Sequence, residues 1–137
     1  MTEREKHHAL AAPCKSCPYR KDVASGVWEA HEYEKLKAYD GEILDQVIAG
    51  ATAVFLCHQQ NNALCSGWLA CHGPENLLAM RLNHRIVHHD TYMYETDVPV
   101  FSSGTEAAEH GMRDIEAPSE KAIKTMAQVE RKRGRKK

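Results

Sequence analysis

The stretch PCKSCPYR, residues 13–20, contains two cysteines with two residues between them, beside prolines and basic side chains. The pair Cys14 and Cys17 is typical of half of a metal site, of a redox motif, or of the zinc-binding end of a deaminase. The chain has five cysteines, so the choice depends on the other three. After a gap of 39 residues these follow as Cys57, Cys65 and Cys71.

Pairing Cys14 and Cys17 with Cys57 and Cys65 predicts a four-thiolate metal site. A C-x2-C turn directs two thiolates at one ion, and a distant pair completes the tetrahedron with zinc–sulfur bonds of about 2.3 Å. Four thiolates suit either zinc or a 4Fe–4S cluster. We expect zinc and keep the cluster as the alternative, with Cys71 and His58 open as substitutes for one ligand.

Three other chemistries for these cysteines are disfavoured. A zinc deaminase carries an H-x-E motif before its P-C-x-x-C, and the twelve residues before Pro13 contain none. A thioredoxin-like pair needs a strand leading into it, whereas only HHALAAP precedes Cys14. A zinc finger with C-x5-C-x12-H-x3-H spacing over residues 65–88 approaches the C2H2 pattern, but Gly73-Pro74 would break its hairpin.

The nine histidines offer a second candidate site, in the segment HRIVHHD at residues 84–90. His84 and His88, four residues apart, would share one face of a helix with Asp90 nearby, which is a metal-ligand arrangement. The alternative is a polar helix end, where histidines suit the helix dipole. We favour this second interpretation.

The composition indicates one globular domain. The chain has 137 residues, of which 42% are hydrophobic and 27% charged, as in ordinary folded domains. It contains no apolar run of 18 residues, the length that predicts a membrane-spanning helix. The charged N-terminus lacks the apolar core of a signal peptide. We therefore expect a cytoplasmic protein with no membrane partner.

The hydrophobic pattern predicts a small α+β domain with short helices and few strands, stapled by the four-cysteine site. It assigns residues 1–12 to a flexible arm, 13–118 to the metal-stabilised domain, and 119–137 to a C-terminal helix and basic tail. Helices are predicted over 25–41, 42–49, 74–84, 103–111 and 119–130, and strands over 52–57 and 91–96. Ser103 and Glu106 have the spacing of a capping box, which predicts Ser103 as the N-cap of the helix that ends at Gly111. The expected inward-facing side chains of the first two helices are Trp28, Tyr33, Leu36 and Tyr39, then Ile43, Leu44, Val47 and Ile48.

The net charge of −1 conceals a strong asymmetry. Residues 121–137 carry eight basic side chains and one acid, so this end is +7 and the other 120 residues are −8. Such a tail predicts contact with DNA, because arginines flanking a glycine fit a narrow minor groove. A solubility tail and a host-protein partner are the alternatives. The candidate nucleic-acid-binding residues are Arg131, Lys132, Arg133, Arg135, Lys136 and Lys137.

Five stretches carry a family resemblance: PCKSCPYRKDVASGVW, EYEKLKAYD, FLCHQQ, LCSGW and DVPVFSSGTEAAEHGMRDI. They span about residues 13–116, and they resemble a family of short proteins of unknown function from actinobacteria and their bacteriophages. This resemblance implies that Cys14, Cys17, Cys57 and Cys65 recur as a quartet, with His58 and Trp68 beside them. It also motivates a phage-encoded inhibitor of a host protein. The GVW turn and the tail are similar, more weakly, to WhiB-like iron–sulfur regulators, although the cysteine order differs.

The functional expectation is a small metal-binding regulatory or binding protein that contacts nucleic acid or a host protein. One alternative is a metal- or thiol-dependent enzyme with His58 as its base, and another is a WhiB-like redox regulator. An enzyme is disfavoured because the chain lacks a serine elbow, a phosphate loop and a pair of catalytic carboxylates.

Overall fold

The computed structural model describes residues 5–57 and 62–134, with side chains as far as Lys132. In it the helix Gly104–Met112 lies directly against the first helix, Ala30–Glu34, and the 3₁₀ segment Lys35–Tyr39. The described residues form six α-helices and a two-stranded sheet, which confirms the predicted α+β class. The helices are α1 Ala30–Glu34, α2 Ile43–Ala49, α3 Ser66–His72, α4 Leu78–Leu82, α5 Gly104–Met112 and α6 Glu120–Gly134. The strands are β1 His8–Ala9 and β2 Ala63–Leu64. Three 3₁₀ segments cover Lys35–Tyr39, Pro74–Asn76 and His89–Met93.

Two glycines allow α5 to approach α1 and the 3₁₀ segment that follows it. A Cβ at Gly111 would overlap the ring of Tyr33, and one at Gly104 would overlap the backbone carbonyl of Leu36.

The helix predicted over 25–41 is shorter than expected. It covers only α1, Ala30–Glu34, and continues as the 3₁₀ segment Lys35–Tyr39. Its expected inward-facing side chains are all buried, as predicted: Trp28, Tyr33, Leu36 and Tyr39.

The N-terminus of α5 is fixed by two polar side chains. Ser103 accepts a hydrogen bond from the Glu106 amide at 3.0 Å, which confirms the predicted cap. Asp40 directly follows the 3₁₀ segment Lys35–Tyr39. Its carboxylate accepts hydrogen bonds from the backbone amides of Gly104 and Thr105 at 2.6 and 2.8 Å. Two distant parts of the chain are thus joined at one helix end.

Helix α2 faces the opposite way to the prediction. Leu44, Val47 and Ile48 are exposed, and Gln46 is the buried side chain of this helix. The Gln46 amide nitrogen donates to the Asn76 carbonyl at 2.8 Å, and its oxygen accepts the Leu78 amide at 2.9 Å. Hydropathy predicted the wrong face because Gln46 supplies the hydrogen bonds that the start of α4 needs from a neighbour.

Replacing Gln46 by alanine should destabilise the domain by about 2–3 kcal/mol, because the Leu78 amide and the Asn76 carbonyl would lose their partner in the interior. Ile48→Ala is the matched control, since this apolar side chain is 78% exposed and its loss should change stability by less than about 0.5 kcal/mol. Urea denaturation of both variants measures the difference. A larger loss for Ile48→Ala would show that α2 packs the other way round.

Neither predicted strand forms. Over 52–57 only Leu56 makes a β-bridge, to Leu64, and β2 instead pairs in parallel with β1 in the N-terminal arm. The segment 91–96 overlaps the 3₁₀ turn His89–Met93. An alternating apolar pattern forms a strand only where another strand pairs with it. In the described residues, the segment 52–57 makes one β-bridge and the segment 91–96 makes none.

The two remaining predicted helices differ in length from the structure. The helix over 74–84 is interrupted at Leu77, whose extended backbone separates the 3₁₀ turn Pro74–Asn76 from α4. Helix α6 is longer than the predicted 119–130 and runs to Gly134. In the described part of the chain, every helix falls short of the length and apolarity that crossing a membrane requires.

Candidate metal centre

The C-x2-C segment folds as a tight turn that is tied down on both sides. The Cys17 amide donates to the Cys14 carbonyl at 2.9 Å, and the Arg20 amide donates to the Cys17 carbonyl at 3.0 Å. The Trp28 indole donates to the carbonyl of Ser16 at 2.8 Å. These bonds hold both cysteine side chains on one side of the turn, the arrangement in which they can share an ion.

The second cysteine pair comes from two antiparallel segments. The Cys57 amide donates to the Ala63 carbonyl at 2.8 Å, and the Cys65 amide donates to the Phe55 carbonyl at 2.9 Å. The bridge between Leu56 and Leu64 lies between these two bonds. This short ladder places Cys57 opposite Ala63 and Cys65 opposite Phe55, so both cysteines lie on the same face of it although seven residues separate them.

Pairwise contacts link all four predicted ligands. The sulfurs of Cys17 and Cys65 are 3.7 Å apart. The Cys14 thiol lies within hydrogen-bonding reach of both the Cys17 and Cys57 side chains. All four are free cysteines. Two sulfurs on one tetrahedral zinc, each about 2.3 Å from the metal, are separated by about 3.8 Å, so the Cys17–Cys65 distance fits a shared ion.

The crowding of these sulfurs disfavours their ionisation. The pKa of Cys14 is raised by its hydrogen bond with Cys17 and by burial, although the Cys57 contact lowers it. The Cys14 contact lowers the pKa of Cys17, but the Cys65 contact and burial raise it well above its usual value. Several negative sulfurs cannot occupy one buried place without a cation among them. A divalent metal is the group that would stabilise their thiolate forms.

Helix α3 presses on this cluster through a residue without a side chain. A Cβ at Gly67 would overlap the Cys17 sulfur and would lie 2.8 Å from the Cβ of Tyr19. The Tyr19 ring is buried, and its pKa is raised first by burial and then by the charges of Cys65, Cys71 and Cys17. The LCSGW motif therefore contributes Cys65, one of the predicted ligands, and at Gly67 the space that the Cys17 side chain occupies.

Cys71 lies in a different environment. It lines a cleft of about 500 Å³ together with Asp40, His72 and Arg81. Burial and the carboxylates of Asp40 and Glu106 raise its pKa to about 12. A thiol that keeps its proton at neutral pH is not a nucleophile. Among the described residues that line this cleft, Cys71 is the one thiol, so it has no second sulfur there with which to share an ion.

The histidine candidates fall in three places. His58 lies outside the described residues, so the structure says nothing of it as a ligand or as a base. His84 lies within the turn over residues 83–86 and is not part of a ligand cluster in the described residues, whereas His88, His89 and Asp90 bring their ligand atoms within 4.8 Å of one another. The sequence analysis considered His84 and His88 as ligands on one helical face but favoured a polar helix end. Helix α4 ends at Leu82, so His84 and His88 do not share a helix.

The described part of the basic tail lies beside the C-x2-C turn. Arg131 and Lys132 are exposed at the end of α6, and they line a cleft of about 300 Å³ with Lys15 and Ser16. The structure does not describe the side chain of Arg133 or the residues Arg135, Lys136 and Lys137. Lys15 was not among the candidate residues because it stands 116 positions before Arg131, and charge patterning along the chain detects only neighbours in sequence.

Neither curated proteins nor solved structures match the chain. A family model does match, and it covers residues 9–133, which include the four cysteines and most of α6. The chain therefore belongs to DUF6283, a family of unknown function.

Proposed function

We propose that this chain is a small zinc-stabilised binding protein whose Cys14, Cys17, Cys57 and Cys65 hold one structural ion. The observation that carries the proposal is the contact between Cys17 and Cys65, with sulfurs 3.7 Å apart, extended to the other two cysteines through Cys14. Three segments that are distant in sequence supply these four side chains. Four thiolates leave no open coordination position, so the ion would stabilise the fold and would not act on a substrate.

Zinc accounts for the spacing better than a 4Fe–4S cluster does. In a cubane cluster each cysteine binds a different iron, so the sulfurs stand farther apart than two ligands of a single ion. The 3.7 Å between Cys17 and Cys65 is close to the edge of a zinc–thiolate tetrahedron, about 3.8 Å. The same spacing disfavours the WhiB-like alternative, which requires a cluster.

Metal analysis of protein purified without oxygen tests the ion. We expect a colourless solution, one zinc per chain by elemental analysis, and four sulfur neighbours at about 2.3 Å by X-ray absorption. Cobalt substitution should give the intense visible bands of tetrahedral Co²⁺. A brown solution containing iron and acid-labile sulfide would replace zinc by a cluster, and metal-free folded protein would contradict the proposal.

The binding surface that we propose is the basic cleft between the C-x2-C turn and α6. Lys15, Arg131 and Lys132 line this cleft, and the remaining basic residues of the tail follow directly. The rest of the chain is strongly acidic, so a polyanion would be repelled from most of the surface and attracted here. Nucleic acid is the partner that this charge pattern fits, and the metal would hold Lys15 in place.

A triple variant, Lys15→Ala, Arg131→Ala and Lys132→Ala, should weaken binding to a labelled DNA duplex. The slope of log affinity against log salt should become shallower by about 0.9 for each phosphate that the variant no longer neutralises. The control variant Lys35→Ala, Lys37→Ala and Arg113→Ala removes the same number of exposed positive charges from outside the basic tail and α6, and it should retain the slope. Fluorescence anisotropy at several salt concentrations measures both.

Equal slopes for the two variants would remove the nucleic-acid proposal. A host-protein partner would then be the better candidate, favoured by the exposed side chains Leu44, Val47 and Ile48 on α2. The enzyme alternative depends on His58, and the described residues add no activated nucleophile to it, since Cys71 keeps its proton.

A further inference from the structure

We propose a second metal site, independent of the cysteines, in which His88, His89 and Asp90 bind a divalent first-row transition ion. One ligand atom from each of the three lies within 4.8 Å of the others. Two imidazoles and a carboxylate with open positions form a set that transition metals occupy in many proteins. This site is separate from the proposed structural ion, because it uses none of the four cysteines.

The local backbone holds these side chains together. His88 has an extended backbone and precedes the 3₁₀ turn His89–Met93, and the Asp90 amide donates to the His88 Nδ1 at 3.2 Å. The Thr91 hydroxyl donates to the His88 carbonyl. The turn therefore directs Asp90 back at both imidazoles, with oxygens 3.4 Å from His88 Nδ1 and 3.1 Å from His89 Nε2.

Asp90 brings a negative charge to the two imidazoles. Its carboxylate oxygens lie 3.4 Å from His88 Nδ1 and 3.1 Å from His89 Nε2. The single lone pair of Nδ1 accepts the Asp90 amide proton in this structure, so binding of an ion through Nδ1 replaces that hydrogen bond. The His88 and His89 rings stack with centroids 4.3 Å apart, which keeps the second imidazole beside the first.

The N-terminal arm packs against the same histidine. The His88 amide donates to the His7 carbonyl at 2.9 Å, and the His7 amide donates to the Ile86 carbonyl at 2.8 Å. The His8 ring stacks on the His88 ring with centroids 4.3 Å apart. Because of these contacts, His88 is only 13% exposed at its side chain, and it offers a fixed ligand to which the exposed His89 and Asp90 are added.

The test is Ni²⁺ titration of the full chain as purified, after its zinc content has been measured. Wild-type protein should bind one Ni²⁺ per chain by calorimetry and equilibrium dialysis. His89→Ala and Asp90→Asn should each weaken this binding at least about tenfold. Both positions are exposed at the side chain, at 78% and 76%, so the variants should fold normally and retain their zinc.

His84→Ala is the matched control, because it removes a nearby exposed histidine from outside the cluster. It should change the Ni²⁺ affinity by less than about twofold. Nickel binding that is absent in wild type, or that survives in the His89→Ala, Asp90→Asn double variant, would overturn the proposal. An equal loss in His84→Ala would do the same, since it would indicate diffuse binding to surface histidines. Because zinc is measured in the same samples, failure here is distinguishable from failure of the cysteine site.

Discussion

Replacing Cys17 by serine is expected to abolish tight zinc binding and to unfold the domain in neutral buffer. Structural zinc sites contribute about 10–16 kcal/mol of apparent binding free energy, whereas a whole domain is stable by only about 5–15 kcal/mol. Loss of the ion therefore exceeds what the rest of this fold can compensate. Far-UV circular dichroism and metal analysis should both report the loss.

The location of Cys17 explains why this substitution should be severe. Its side chain is buried, within reach of the Cys14 sulfur and 3.7 Å from the Cys65 sulfur. It thus joins the turn to the end of the ladder that supports α3. A serine hydroxyl is a poorer zinc ligand than a thiolate at neutral pH, and the three remaining sulfurs would stay crowded without their ion.

Cys71→Ser provides the matched control, because Cys71 lies in the separate cleft with Asp40 and His72. This variant should bind one zinc and retain the helical spectrum. A Cys17→Ser protein that stays folded and metal-loaded would show that the quartet is misassigned. If Cys17→Ser cannot be purified, the half-buried Cys14 gives a second variant whose zinc affinity can be measured by competition with a chelator.

The sequence was informative where local spacing decides the structure. The cap at Ser103 followed from the position of Glu106. The grouping of Cys14 and Cys17 with Cys57 and Cys65 around one ion stays a prediction, and the structure shows contacts between pairs of these side chains.

Predictions based on hydropathy alone were wrong where tertiary contacts decide the orientation. Gln46 is buried in place of Ile48 because its amide completes backbone hydrogen bonds of another segment, which no property of α2 reveals. The stretch 52–57 has the composition of a strand, but a strand needs a partner, and its ladder is limited to the bridge at Leu56. Long-range backbone pairing is the information that a single sequence does not contain.

The close packing of α3 against the cysteine cluster also could not be predicted from the sequence. Gly67 lies inside this helix, where glycine costs about 1 kcal/mol relative to alanine. That cost is offset if the absence of a Cβ lets the helix approach the cysteines. The close approach of Gly67 to Cys17 and Tyr19 is the contact that requires this residue.

Gly67→Ala is accordingly expected to lower zinc affinity by about 10- to 100-fold, the range found when a supporting partner of a metal ligand is lost. The added methyl would overlap the Cys17 sulfur. Either α3 shifts and carries Cys65 away from the ion, or Cys17 rotates out of the tetrahedron. Each movement increases the distance between the Cys17 and Cys65 sulfurs beyond 3.7 Å. The loss is expected even though alanine favours the helix more than glycine does.

Gly50→Ala separates this effect from general destabilisation. Gly50 has a φ of 72°, where an alanine costs about 1 kcal/mol, but nothing lies within 4 Å of its Cβ position. This control should lower the thermal midpoint while its zinc affinity, measured by competition with a chromophoric chelator, stays at the wild-type value. If Gly67→Ala lost no more zinc affinity than Gly50→Ala, α3 would not position the ligands, and Gly67 would serve packing against Tyr19 alone.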